Sequence, residues 1–125
     1  MLWFVNEYNA HVIPINTLDE ARRHIRLIGS DPQSIDIMAP KAITRVIKLE
    51  KVVLQDAMII KQDMLSLGGE VAVPKDTFAL HEQKGDILII GTLRQLELLV
   101  GKLRRHYRRL QHVADELQEV IRGEQ

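Results

Sequence analysis

The residues of this chain with the clearest chemical potential are Gly91 and Thr92, which join the all-apolar run Ile87 to Ile90 to the start of a helix. A strand that turns through one glycine into a helix N-terminus aims unpaired backbone N–H groups and the positive end of a dipole at one spot. Folds of the α/β class hold phosphate that way. The full G-x-G-x-x-G fingerprint and the G-x-x-x-x-G-K-[ST] loop are both absent, however. Thr92-Leu-Arg-Gln95 is also a capping-box pattern, in which the threonine and glutamine side chains satisfy the first helical donors themselves. Ordinary capping is therefore the first expectation, and anion binding at Gly91 and Thr92 the alternative. Gly68 and Gly69 read as a helix stop.

No other grouping names a reaction. His106 and His112 lie six apart, off one helical face, and His11, His24 and His81 are scattered, so no metal is expected. Asp76 and Thr77 near His81 lack a nucleophile or a second carboxylate at a defined spacing, so no catalytic residue is assigned and no cofactor is implied. Zero cysteines remove disulfides, thiolate metal sites and cysteine nucleophiles together. One charge feature stands out: Arg94, Lys102, Arg104, Arg105, Arg108 and Arg109 face a single acid, Glu97, before Asp115, Glu116, Glu119 and Glu124 follow. The expectation is a solvated helix face that pairs with acids of its own tail or of a second chain. Stacking aromatics are missing apart from Tyr107, so nucleic acid is not an expected partner.

Seventeen basic residues balance seventeen acidic ones, which gives no general attraction to nucleic acid or anionic membrane. The opening Met-Leu-Trp-Phe-Val is too short for a signal h-region, and no apolar run reaches the length of a membrane span. A cytoplasmic protein is expected. At 125 residues the chain reads as one domain, residues 1–125, burying roughly two thirds of the surface of its unfolded form.

The elements that must position these residues follow from caps and periodicity. Leu2 to Val5 and Val12 to Ile15 read as a hairpin or a frayed strand. Thr17-Leu-Asp-Glu20 is a capping box, and Leu18, Ala21, Ile25 and Ile28 form one stripe before Gly29, so a helix is predicted over 18–28. Ile35, Ile37 and Met38 predict a short strand ended by Pro40. Between Lys41 and Lys51 the apolar positions fit either a helical turn with a following strand or one helix. Leu54 to Leu67 predicts a helix, Glu70 to Val73 a strand, Lys75 to Thr77 a turn and Phe78 to His81 a short strand. Ile87 to Ile90, apolar on consecutive positions, predicts a central strand buried on both faces.

The last segment is the longest. Leu96, Leu99, Leu103, His106, Leu110, Val113, Leu117 and Val120 alternate spacings of three and four. Either one long helix offers this seam to a partner, with Leu96, Leu99, Leu103, Leu110, Val113 and Leu117 as interface residues, or the helix breaks near Tyr107 and folds back over the sheet. The fold class is α/β, a small sheet covered by helices with a long C-terminal helix or helical pair.

Three blocks, Ile37-Met-Ala-Pro-Lys-Ala42, Lys61-Gln-Asp-Met-Leu-Ser-Leu-Gly-Gly-Glu-Val-Ala-Val73 and Asp86-Ile-Leu-Ile-Ile-Gly-Thr-Leu-Arg-Gln-Leu96, resemble the N-terminal extension that precedes the catalytic barrel in some bacterial dihydropteroate synthases. The resemblance runs over residues 14–122. It implies a place in folate biosynthesis, where the full enzyme, a transferase, joins a pterin pyrophosphate to p-aminobenzoate. That chemistry belongs to a (β/α)₈ barrel of roughly 250 residues, and the barrel's Asn-Val-Thr-Pro-Asp-Ser-Phe type of motif is absent. No catalytic or pterin-binding residue is carried over. The family tends to have a proline where this chain reads His106-Tyr-Arg-Arg-Leu110. The expected function is a noncatalytic accessory domain for docking or oligomerisation, with a dihydropteroate synthase barrel in cis or trans, or a second copy, as partner. The alternative is a small module that binds phosphate or a pterin diphosphate at Gly91 and Thr92.

Overall fold

A computed structural model describes residues 7–75 and 83–125. The first helix, α1 (Leu18–Ile28), matches its predicted bounds because both ends are written locally. Thr17 Oγ1 accepts from the Glu20 N–H at 3.1 Å, and Gly29 closes the helix at φ 83°. The Glu20 carboxylate reaches back one residue further than a capping box requires, to the Asn16 N–H.

The predicted strand at Ile35 to Met38 is instead a helix, α2 (Pro32–Met38). Asp31 accepts from the Gln33 N–H and Pro32 occupies the first turn, so a cap and a preset φ outweigh three alternating apolar residues. A 3₁₀ turn over Ala39–Lys41 then leads into β1 (Thr44–Val53). Thus the turn-plus-strand reading of this region holds. Val12 to Ile15 forms no strand, while Leu2 to Val5, Asp76 and Thr77, and Phe78 to His81 lie outside the described residues.

Helix α3 (Leu54–Ser66) follows β1, and Gly68 turns the chain at φ 90° into β2 (Glu70–Ala72). Next come β3 (Lys84–Thr92), α4 (Leu93–Leu103) and α5 (Arg108–Gly123). The strands form one antiparallel sheet in the order β1-β3-β2. Strand β3 is central, as its apolar run predicts, and it fills the slot between β1 and β2, which α3 connects.

The register explains why β1 was ambiguous as a pattern. Leu49 pairs with Ile87 but Val52 pairs with Gly85, so β1 carries one residue more than its partner there. Lys51 sits in this bulge at φ 54°, and its N–H donates to Asp86 Oδ1 at 3.1 Å. Ile47, Leu49 and Val52 consequently all face the core, with two exposed residues between the last pair.

Among the described residues, helices cover one sheet face only. Ile87 and Ile89 of β3 pack with Ile60 and Met64 of α3 and with Leu96 and Leu99 of α4. The opposite face carries Val46, Lys48, Leu88, Ile90, Glu70 and Ala72; Val46 is 59% exposed and Leu88 38%. Burial on both faces of Ile87 to Ile90 is therefore corrected: the run is apolar on both sides, but no described element lies over Leu88 and Ile90.

The C-terminal region is a helical pair. Its break falls at residues 104–107 without glycine or proline, and Tyr107 takes an extended conformation at φ −71°, ψ 175° to start α5. The seam thereby folds on itself. Leu96, Leu99, Leu103, Leu110 and Leu117 are fully buried in this chain's own core and Val113 is half-buried against it, so the six residues expected at an interface are occupied by internal packing.

Candidate functional site

At the Gly91 turn three of the donors that would hold an anion, the N–H groups of Thr92, Leu93 and Gln95, are already engaged. Thr92 Oγ1 accepts from the Gln95 N–H at 3.1 Å, while Gln95 Oε1 accepts from the Thr92 N–H at 2.9 Å. The Leu93 N–H donates to the Ile43 carbonyl at 2.9 Å, and Gln95 Nε2 to the Leu67 carbonyl at 3.2 Å. Glycine at 91 allows a close approach: a Cβ there would meet Met64 Cε and lie 2.9 Å from Gln95 Oε1, so the Met64 tip or the capping glutamine would have to move.

A shallow cleft of about 430 Å³ opens beside the turn, lined by Thr44, Gly68, Glu70, Ile90 and Thr92 among others. Its one charged side chain is a carboxylate. The Val71 N–H, and after it the Lys61 ammonium, hold Glu70 below the usual range, so it stays an ionised carboxylate paired with Lys61. Among the described residues no lysine or arginine lines the cleft, so a phosphate would find no cation to meet its charge. We therefore expect calorimetry with pyrophosphate to show no binding heat. Thr92→Ala should cost about 1 kcal/mol of stability through the lost cap; a saturable pyrophosphate isotherm abolished by the same change would reverse this reading.

The second constellation lies where the α4–α5 turn meets α3. Asp56, in the first turn of α3, is only 3% exposed. Arg109 clasps it with two bonds, Nε to Oδ2 at 2.7 Å and Nη2 to Oδ1 at 3.0 Å, and the Tyr107 hydroxyl donates to Oδ1. The guanidinium also stacks over the Tyr107 ring, 5.0 Å from its centroid. Burial by itself would raise the Asp56 carboxyl, but these donors outweigh it and leave the group below its ordinary value. Tyr107 is pushed up, by burial and then by Asp56.

Three more residues of the basic stretch are tied down by side chains of the same chain. His106 Nε2 lies 3.0 Å from Asp63 Oδ2, Lys102 Nζ donates to Ser66 Oγ at 2.9 Å, and Arg104 meets Asp115 at 2.7 Å. The expected pairing with the chain's own tail thus accounts for Arg104, while α3 supplies the partners of Lys102, His106 and Arg109. Arg105 and Arg108 are exposed. Chemically this is a clamp: each carboxylate here is met by a guanidinium, hydroxyl or imidazole of the same chain. Sequence reasoning missed Asp56, because an aspartate in a first helical turn is ordinarily read as complementing the helix dipole. Its partner stands 53 residues away. Among the described residues no cluster of His, Cys, Asp and Glu could hold a metal ion, and no helix is long and apolar enough to cross a membrane.

Comparison with known proteins gives matches to parts of larger enzymes. The chain is 29% identical over 105 residues to the bifunctional dihydropteroate synthase/dihydropteroate reductase of Helicobacter pylori, covering 84% of this chain and 28% of that protein. It is 32% identical over 92 residues to a probable bifunctional folylpolyglutamate synthase/dihydropteroate synthase of Halobacterium salinarum, covering 71% of this chain and 11% of that protein. The protein of the same name from Haloferax volcanii is 31% identical over 106 residues, covering 84% of this chain and 12% of its own length. No family model matches the chain, and no solved structure matches it. The chain is similar to one portion of bifunctional proteins named as dihydropteroate synthases, and it spans between 11% and 28% of their length.

Proposed function

We propose that this domain is a noncatalytic accessory unit of a dihydropteroate synthase in folate biosynthesis, docking with the catalytic barrel in cis or in trans. The observation that carries the reading is the similarity to a fraction of three dihydropteroate synthase proteins, which leaves most of each relative to supply the chemistry. The geometry supports docking over catalysis. The titratable groups that the fold gathers, Asp56 with Arg109 and Tyr107 and Asp63 with His106, satisfy one another. Among the described residues, by contrast, the sheet exposes Val46 and Leu88, with the half-buried Ile90 between them, on the face away from the helices, an apolar patch rimmed by Lys48, Asp86 and Glu70.

Titration of the labelled domain with the purified barrel portion of a bifunctional relative tests this. Resonances of Leu88 and Ile90 should shift and saturate, and Leu88→Asp should weaken binding at least about ten-fold, the worth of one buried apolar anchor. The domain alone should show no condensation of pterin pyrophosphate with p-aminobenzoate. Turnover by the isolated domain, or a barrel that leaves every resonance unmoved, would refute the proposal.

A further inference from the structure

The two edges of the sheet differ in a way that singles one of them out. Thr44 and Thr92 are register partners, and the Leu93 N–H donates to the Ile43 carbonyl at 2.9 Å across that pair. In an antiparallel ladder this bond makes Thr44 and Thr92 a non-hydrogen-bonded pair, so the parity of β1 follows. Arg45, Ile47 and Leu49 turn their backbone groups to β3, while Thr44, Val46 and Lys48 turn theirs outward. The Thr44 carbonyl agrees, since it accepts from Arg45 Nη1 at 3.0 Å, with its second lone pair left for a strand N–H. On the other edge the outward groups of β2 belong to Val71, and both are engaged: its N–H donates to Glu70 Oε1 and its carbonyl accepts from Lys61 Nζ, each at 2.8 Å. No described residue does the same for the backbone of Val46 or Lys48.

We infer that the free edge of β1 pairs, antiparallel and about a two-fold axis at Val46, with the same edge of a second copy of this chain, joining two three-stranded sheets into one. The edge is complementary to itself. The axis sets Val46 against Val46 of the second copy and Thr44 against its Lys48, so no like charges stand opposite each other. The charge of Lys48 is also answered within its own chain, by Asp86 at 3.7 Å and Glu50 at 3.9 Å. Apolar surface flanks the edge on both sides: Val46 is 59% exposed on the open face, and Val120 of α5, 44% exposed, lines a cavity of about 350 Å³ with Arg45 and Ile47 on the helical side. Beyond Lys48 the bulge at Lys51, whose N–H is bound to Asp86, ends the stretch that can pair. A strand of unrelated sequence would meet the same backbone but not this match of valine to valine.

The inference rests on edge geometry and not on the docking proposed above. Its experiment contains no barrel, so either reading can fail alone. Sedimentation equilibrium of the full chain should give twice the 14.4 kDa monomer mass at micromolar concentration. Val46→Pro removes an outward N–H that β3 does not use, which edge strands tolerate, and should give a monomer with unchanged far-ultraviolet circular dichroism. Should proline disturb the strand, Val46→Lys sets two ammonium groups opposite each other and should weaken pairing by about ten-fold or more. Leu88→Asp, on the open face but away from the edge, should leave the dimer intact. A monomeric wild type, a dimer that survives both Val46 changes, or a dimer lost in Leu88→Asp would each overturn the inference.

Discussion

Changing Leu103 and Leu110 together to aspartate should leave the chain unfolded rather than merely change its state of association. Both side chains are fully buried, one at the end of α4 and one in the first turns of α5, and they close the two helices against each other. Each change forfeits about 2 kcal/mol of apolar burial and places a carboxylate where no cation waits for it. An unpaired buried charge costs several kcal/mol more even after water penetrates. The combined loss, on the order of 10 kcal/mol, is comparable to the whole of the roughly 5 to 15 kcal/mol that holds a domain of this kind together. Circular dichroism and the dispersion of amide resonances measure the outcome. A double variant that stays folded with altered mass would return the seam to an intermolecular role.

The second large effect is acid loosening of the joint between α3 and the α4–α5 turn. Asp56 titrates below its ordinary value in the folded chain, so its contribution is complete above the unfolded carboxylate value of about 4 and is lost as pH falls through the folded one. The gap in melting temperature between wild type and Asp56→Asn should be constant from neutral pH to about 5 and should close at more acid pH. A gap that never closes would mean that the carboxylate form contributes nothing. At neutral pH Asp56→Ala should cost about 2 kcal/mol, the scale of hydrogen bonds to a charged group. Arg109→Ala should lower the melting temperature further. It strands a carboxylate that is 3% exposed, whereas the guanidinium freed by Asp56→Ala is at the surface and rehydrates. At the alkaline end Tyr107, held above its usual value by burial and by Asp56, keeps its bond until the pH has passed about 10.

Features encoded within a few residues were readable from the chain alone. Thr17 and Gly29 delimit α1 because a cap needs only the residue and the next turn, and Thr92 with Gln95 announces α4 for the same reason. The centrality of β3 followed from its uninterrupted apolar run. What escaped depends on distant partners or on a break in period. The bulge at Lys51 adds a residue to β1, so the strand has no clean period of two and resembles a helix in part. The fold-back at residues 104–107 carries neither glycine nor proline; it is held by Tyr107 and Arg109 reaching Asp56 and by His106 reaching Asp63, contacts that no local pattern announces. As for the site, the capping box at Thr92 was legible and its consequence, donors already consumed, was the first of the two expectations. The Asp56 clamp was not legible at all.

The side chains that close the outer edge of β2 bear on how the molecule avoids fibrous growth. With Glu70 and Lys61 covering both backbone groups of Val71, that strand offers no template to an incoming chain. A sheet with one sealed border can be extended in one direction only. Any self-association through strand pairing then terminates after a single step, so the same residues that finish a three-residue strand also cap the assembly and deny it the repeating ladder on which amyloid depends.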